Sequence, residues 1–112
     1  SAKEGVEHWW MQRVTAVALI PLVVWFVISV IKLVGMDYPQ AKTWVQYPYN
    51  AVLLILLFPT VFYHAGLGLK VVIEDYVHNE FIKILLIIFI KLLFFVTTVS
   101  AVFAVLYINF KM

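Results

Sequence analysis

Residues 92–110 read LLFFVTTVSAVFAVLYINF, nineteen consecutive positions without an Asp, Glu, Lys or Arg. A helix of that length rises about 28 Å, close to the roughly 30 Å hydrocarbon thickness of a bilayer. Lys91 and Lys111 bracket the stretch, and the apolar residues 84–90 extend it upstream. Two more stretches have the same form: residues 14–31 between Arg13 and Lys32, and residues 43–69 between Lys42 and Lys70. The apolar character runs around all three, as a helix facing lipid requires. The pattern predicts an all-α membrane protein with three transmembrane helices at about residues 14–34, 50–73 and 84–109. Together they form a single membrane domain over residues 1–112.

Composition agrees. The chain is 65% hydrophobic and 12% charged, against roughly 45–50% and 25% in soluble domains. A soluble fold of 112 residues could not hide that much apolar surface, because small domains bury the smallest fraction of their chain. A net charge of +2 with no basic cluster gives no reason to expect nucleic acid as a partner. With no cysteine, disulfides, thiolate chemistry and Cys-ligated zinc or iron–sulfur clusters are excluded within the chain. The opening Ser1-Ala2-Lys3-Glu4 has none of the layout of a secretory signal or transit peptide. It fits a chain that has lost only a methionine, or one whose presequence is already gone.

Gly35-Met36-Asp37-Tyr38-Pro39 breaks the chain after the first span, and Tyr47-Pro48-Tyr49-Asn50 reads as an interfacial turn. Residues 75–83 form a polar second connection. Aromatic residues such as Trp9, Trp10, Trp44, Tyr76 and Tyr107 gather near span ends, as an aromatic belt would. Three spans put the N-terminus and the second connection on one side, with Lys3, Arg13, Lys70 and Lys83, and with Lys91 close by. Lys32, Lys42 and Lys111 lie on the other, so the excess of basic residues places the N-terminus inside.

His64 lies deep in the second span, where an imidazole needs a partner because no water is at hand. Two readings fit: an interhelical hydrogen bond to a Ser, Thr or carbonyl, or an axial heme ligand. Gly66 and Gly68 follow it, and Gly68 sits one turn away on the same face. Missing side chains there either open a slot for a flat ligand or let helices approach closely. Pro59 could widen the same region. Asp75 is eleven residues beyond His64, about 16 Å along the axis and about 20° off the same face. If Asp75 marks the membrane surface, His64 lies near the midplane. Tyr76 at the rim can donate a hydrogen bond to a carbonyl or anchor the belt. Arg13 closes the first span on that same side, suited to a heme propionate or a lipid phosphate. Lys91 lies inside the third span and snorkels to the interface. His8 and His78 lie outside the hydrocarbon. One buried His cannot hold six-coordinate heme from both faces, so a heme here needs a ligand from a partner chain.

His64 followed by ten residues and then Asp75-Tyr76-Val77-His78 resembles the second helix of the small membrane anchor of succinate dehydrogenase, respiratory complex II. His8-Trp9 with Arg13 at the head of the first helix is similar to the alphaproteobacterial and mitochondrial members. The resemblance covers nearly the whole chain. It implies a helix bundle shared with a second, partner anchor protein of the complex. His64 then matches the axial ligand to heme b, the other ligand being a histidine of that partner anchor. Tyr76 matches the tyrosine that hydrogen-bonds a ubiquinone carbonyl, and Asp75 the acid beside it. Arg13 and His8 match groups near the heme propionates and quinone pocket. The flavoprotein and iron–sulfur subunits would dock on the side of Asp75 and Tyr76. Asn79 stands where the mitochondrial pattern often has Gly, and no functional weight rests on it.

The expected function is therefore that of a heme- and quinone-binding membrane anchor of succinate:ubiquinone oxidoreductase, in the tricarboxylic acid cycle and electron transport. No flavin site, dinucleotide fingerprint or iron–sulfur ligand set is present for succinate oxidation itself. A multi-pass protein of the bacterial inner membrane with a cytoplasmic N-terminus follows from the resemblance, the mitochondrial inner membrane being the alternative. Rival readings are a fumarate reductase anchor, a small transporter or channel component using His64 and Asp75 as a proton path, and a purely structural anchor. The topology is testable with single cysteines, Lys3→Cys, Ala41→Cys and Asn79→Cys, in sealed vesicles. Positions 3 and 79 are expected to label together, opposite to 41, and any other pairing breaks the three-span arrangement.

Overall fold

The computed structural model describes residues 2–111, with Lys111 described by its backbone alone. Four helices follow one another: α1 (Ala2–Leu33), α2 (Tyr38–Gln46), α3 (Pro48–Tyr76) and α4 (Glu80–Lys111), with no strand among the described residues. α1, α3 and α4 are the three helices long and apolar enough to cross a membrane. They run along the longest dimension of the molecule, 49 Å. In each, the helix closes its own backbone hydrogen bonds, which is what lipid demands of a crossing segment. All three are longer than the apolar stretches within them.

The breaks have local causes. Gly35 takes φ +90, a left-handed conformation that glycine adopts without a Cβ penalty. Asp37 then caps α2 reciprocally with Gln40: Gln40 N–H donates to Asp37 Oδ1 at 2.9 Å, and Asp37 N–H donates to Gln40 Oε1 at 3.1 Å. Pro39 sits in the first turn, where its missing N–H leaves nothing unbonded. Tyr47 is extended at φ −66 and ψ 126, as a residue before proline is driven to be. Tyr47 ends α2 and admits Pro48 as the first residue of α3. The connection between α3 and α4 is only residues 77–79, shorter than the polar composition of 75–83 implied. Asn79 explains this, since its Oδ1 accepts from Ile82 N–H at 3.1 Å and starts α4 three residues on.

α2 is the element that hydropathy alone does not separate, because the apolar stretch at 43–69 runs from α2 into α3. It lies across the ends of α3 and α4, held by side-chain amides. Gln46 Nε2 donates to the Ile108 carbonyl at 2.9 Å, Asn109 Nδ2 to the Val45 carbonyl at 3.2 Å, and Asn50 Nδ2 to the Trp44 carbonyl at 2.9 Å. Trp44 also stacks on Trp25 of α1, with ring centroids 5.8 Å apart. Leu19, Ala51, Leu54, Leu57 and Val105 form the small core beside it. Most other large apolar side chains are exposed, which in water would be ruinous and in lipid is not.

α3 is the central helix. α1 and α4 each pack along it, with no comparable packing between α1 and α4 themselves. A cleft therefore opens between α1 and α4 over one face of α3.

Candidate functional site

α3 presents His64 to α1. Its Nδ1 lies 2.8 Å from Thr15 Oγ1, and Thr15 is buried at 7% exposure. The same hydroxyl lies 2.7 Å from the Met11 carbonyl and 3.2 Å from the Gln12 carbonyl. A hydroxyl has one proton and the carbonyls can only accept. When that proton goes to the Met11 carbonyl, Nδ1–H must donate to Thr15 Oγ1. This leaves Nε2 as the basic nitrogen, and it makes no hydrogen bond within the described residues. Thr15 is thus the partner that the half-buried imidazole required. Sequence reading did not find it, although Thr15 is the one hydroxyl in the first half of the first span.

The two glycines after His64 do different things. Gly68 faces α1, where an added Cβ would lie 3.8 Å from Gln12 Nε2, and Gly66 faces α4, where it would lie 3.5 Å from Phe94. Beside Gly68 lies Gln12 of α1, at a distance where an added Cβ would make an ordinary van der Waals contact. Gln12 was also missed by sequence reading. Its Oε1 is buried with no hydrogen-bond partner among the described residues.

The cleft measures about 720 Å³ and is lined by Gly66, Thr15 and Tyr63, with Phe94 and Phe95 on its α4 wall and His8, Lys70 and Lys91 among its polar groups. Pro59 lines it too, and α3 continues through that residue unbroken. The His64 ring is not part of the lining, but its partner Thr15 is.

Arg13, Asp75 and Tyr76 belong to the end of the molecule shared by the start of α1 and the close of α3. Arg13 lies over the Trp9 ring, 5.0 Å from its centroid. Asp75 is exposed and Tyr76 is 77% exposed. Among the described residues, no hydrogen bond or ion pair joins Asp75 or Tyr76 to His8, Arg13 or His64. The structure therefore ties His64 to α1 and places His8 on the cleft, while Asp75 and Tyr76 stand twelve or fewer residues farther along α3, up to about 18 Å away. No group of three or more His, Asp or Glu side chains among the described residues could hold a bare metal ion. A heme iron brings four ring nitrogens of its own and asks this chain for a single imidazole, which His64 Nε2 can supply.

Residues 1–98 match the family model described as the succinate dehydrogenase/fumarate reductase transmembrane subunit. The succinate dehydrogenase hydrophobic membrane anchor subunit of Rickettsia conorii is 37% identical over 108 residues, covering 96% of this chain and 86% of that protein. The succinate dehydrogenase membrane anchor subunit of Reclinomonas americana is 29% identical over 94 residues, covering 81% of this chain and 78% of its own length. The hydrophobic membrane anchor subunit of Paracoccus denitrificans is 33% identical over 76 residues, or 68% and 59% of the two chains. No solved structure gives a significant match. With its three apolar crossing helices and a match over most of its length, the chain belongs to the family of succinate dehydrogenase and fumarate reductase transmembrane subunits.

Proposed function

We propose that the chain is the small membrane anchor of a succinate:ubiquinone oxidoreductase of the bacterial inner membrane, in which it helps to hold a heme b and a ubiquinone. The relatives' designation as succinate dehydrogenase anchors favours this over a fumarate reductase anchor. Partners are the iron–sulfur and flavoprotein subunits, docked at the end bearing Asp75 and Tyr76, and a second anchor protein beside the helices that brings the other heme ligand. The N-terminus faces the cytoplasm in this reading.

The observation that carries the heme part is the 2.8 Å contact between His64 Nδ1 and Thr15 Oγ1. A ligating imidazole donates its other ring N–H to a fixed acceptor, which sets the tautomer and raises the basicity of the ligating nitrogen. Thr15 is placed to be that acceptor, with Nε2 left for iron. Arg13 and His8 lie toward the cytoplasmic end and suit the acid groups of a propionate-bearing ligand. When bound, heme supplies a one-electron store beside the quinone. What this chain does is to hold, orient and keep dry. The simpler alternative is that the Thr15–His64 bond only ties α1 to α3.

His64→Ala is expected to remove or perturb a low-spin b-type absorbance in the reduced-minus-oxidised spectrum of the purified complex. Thr15→Val should weaken heme retention by about 10–100-fold, the scale of losing an outer-shell partner, while Thr15→Ser keeps it. An unchanged spectrum and potential in His64→Ala leaves His64 as a helix tie.

Tyr76 donates its phenol O–H to a ubiquinone carbonyl, with Asp75 setting the local charge. Its exposure at the end of α3 leaves the hydroxyl available. That hydrogen bond strengthens as electron density builds on the carbonyl oxygen, so its loss lowers turnover as well as affinity. Tyr76→Phe removes the hydroxyl alone. Quinone reduction is expected to fall by roughly ten- to a thousandfold, the effect of about 1.4–4 kcal/mol, with succinate oxidation by an artificial acceptor untouched. Native ubiquinone reduction in that variant would leave Tyr76 as a belt residue.

A further inference from the structure

Three basic side chains from three different helices line one cleft: His8 of α1, Lys70 of α3 and Lys91 of α4. The helix register shows that they also share one level. Gln12 faces Gly68 and Thr15 meets His64, so α1 runs antiparallel to α3 and His8 falls opposite residues 71–72. Phe94 packs on Phe62 at 6.1 Å and faces Gly66, which puts Lys91 opposite residues 65–69. The three groups therefore lie within about 10 Å of one another along the axis. Among the described residues no carboxylate lines the cleft, and neither Lys70 nor Lys91 forms an ion pair. Toward the middle of the helices the walls become apolar, with Phe94, Phe95, Ile90 and Pro59.

The level of this collar is set by the other charges. Arg13 and Lys32 are nineteen residues apart on α1, and Lys91 and Lys111 twenty apart on α4, which is about 28–30 Å and matches one hydrocarbon thickness. Arg13 falls opposite residues 66–67 by the same register, so Arg13, Lys70 and Lys91 mark one membrane boundary. His64 then lies at most about 9 Å inside that boundary, the distance from Lys70, and closer to the level of Arg13, shallower than an origin at Asp75 implies. A cleft that is cationic at the boundary, apolar below it and lined by the exposed Tyr63 (47%) and Phe95 (67%) is shaped for an amphiphile from the surrounding leaflet.

We propose that the α1–α4 cleft binds one anionic phospholipid, its phosphate held by Lys70 and Lys91 and an acyl chain lying against Phe94, Phe95 and Pro59. Ordinary snorkelling brings a lysine to whatever headgroup is near. Here two uncompensated ammonium groups on neighbouring helices share one cavity, which favours one anion between them over two independent headgroups. The proposal rests on family membership and on neither the heme nor the quinone reading.

The test uses the assembled complex containing this chain, in nanodiscs of equimolar phosphatidylglycerol and phosphatidylcholine. Spin-labelled lipids of each kind report the immobilised fraction. The native complex is expected to immobilise phosphatidylglycerol roughly tenfold or more over phosphatidylcholine, the scale of two ammonium groups near a phosphate. Lys70→Gln with Lys91→Gln should abolish the preference, Lys70→Arg with Lys91→Arg should keep it, and Lys32→Gln at the far boundary should leave it unchanged. Absence of a preference in the native complex overturns the proposal, whether or not the double variant assembles. So does an equal preference in the Gln variant. A cleft closed by a carboxylate-bearing helix of a partner protein would immobilise no lipid, and that result overturns it as well.

Discussion

A backbone amide or carbonyl inside lipid has no water to bond, and an unsatisfied one costs several kcal/mol. Every feature of this chain follows from meeting that demand with helices and then deciding how those helices touch. Helix–helix contact gains little from hiding apolar surface when lipid is as apolar as leucine. The small core of Leu19, Leu54, Leu57 and their neighbours therefore cannot by itself fix the register of α1 against α3. Polar contacts do more of that. At the α2 end, Gln46 and Asn109 exchange amide donors with carbonyls of the neighbouring helix. Nearer the other end, Thr15 and His64 make the one side-chain hydrogen bond between α1 and α3 among the described residues.

The two ends of the bundle consequently differ in character. The α2 end is closed by amide clamps, the Trp25–Trp44 stack and the buried Ser29, whose hydroxyl returns to the Trp25 carbonyl at 2.8 Å. The opposite end is splayed, with a cleft between α1 and α4 and with Asp75 and Tyr76 exposed. Rigidity at one end holds the orientation of the helices, and openness at the other leaves surfaces for ligands and partner chains. A site built at the splayed end borrows its precision from the clamped one.

The spans were legible because their signal is strong and local: long runs without charge, bracketed by Lys or Arg. The helices extend beyond those runs at both ends, since hydropathy reports depth in lipid while helix length is set by capping residues. Asn79 is the clear example, a loop position of no evident weight in the sequence that proves to start α4. α2 was hidden for a related reason. Its signal was the Asp37–Gln40 spacing with Pro39 between, a capping box that reads as a turn when the surrounding residues are scanned for breaks. Within the site, His64 stood out from sequence by its depth, but its partner did not. Thr15 is inconspicuous in an apolar run, and only the antiparallel register of α1 and α3 brings it to the imidazole. Gly68 was open to two readings, and the structure places Gln12 of α1 beside it at van der Waals distance.

What remains unfinished in the chain is itself informative. Among the described residues, His64 satisfies one ring nitrogen and leaves the other without a hydrogen bond, and Gln12 Oε1 is buried with none. Both atoms sit on the α1–α3 seam, within one turn of Thr15 and of Gly68, and both are acceptors when Nδ1 carries the imidazole proton. Acceptors in an apolar setting are costly unless something electrophilic or hydrogen-bearing meets them. A self-sufficient three-helix protein would gain by replacing them with apolar side chains of similar volume. Their presence makes the α1–α3 seam near Thr15 the least self-satisfied part of the bundle. The same reasoning applies to the cationic cleft and to the exposed Tyr76. Each belongs to the splayed end of a membrane anchor, where the chain's own helices leave polar groups uncovered.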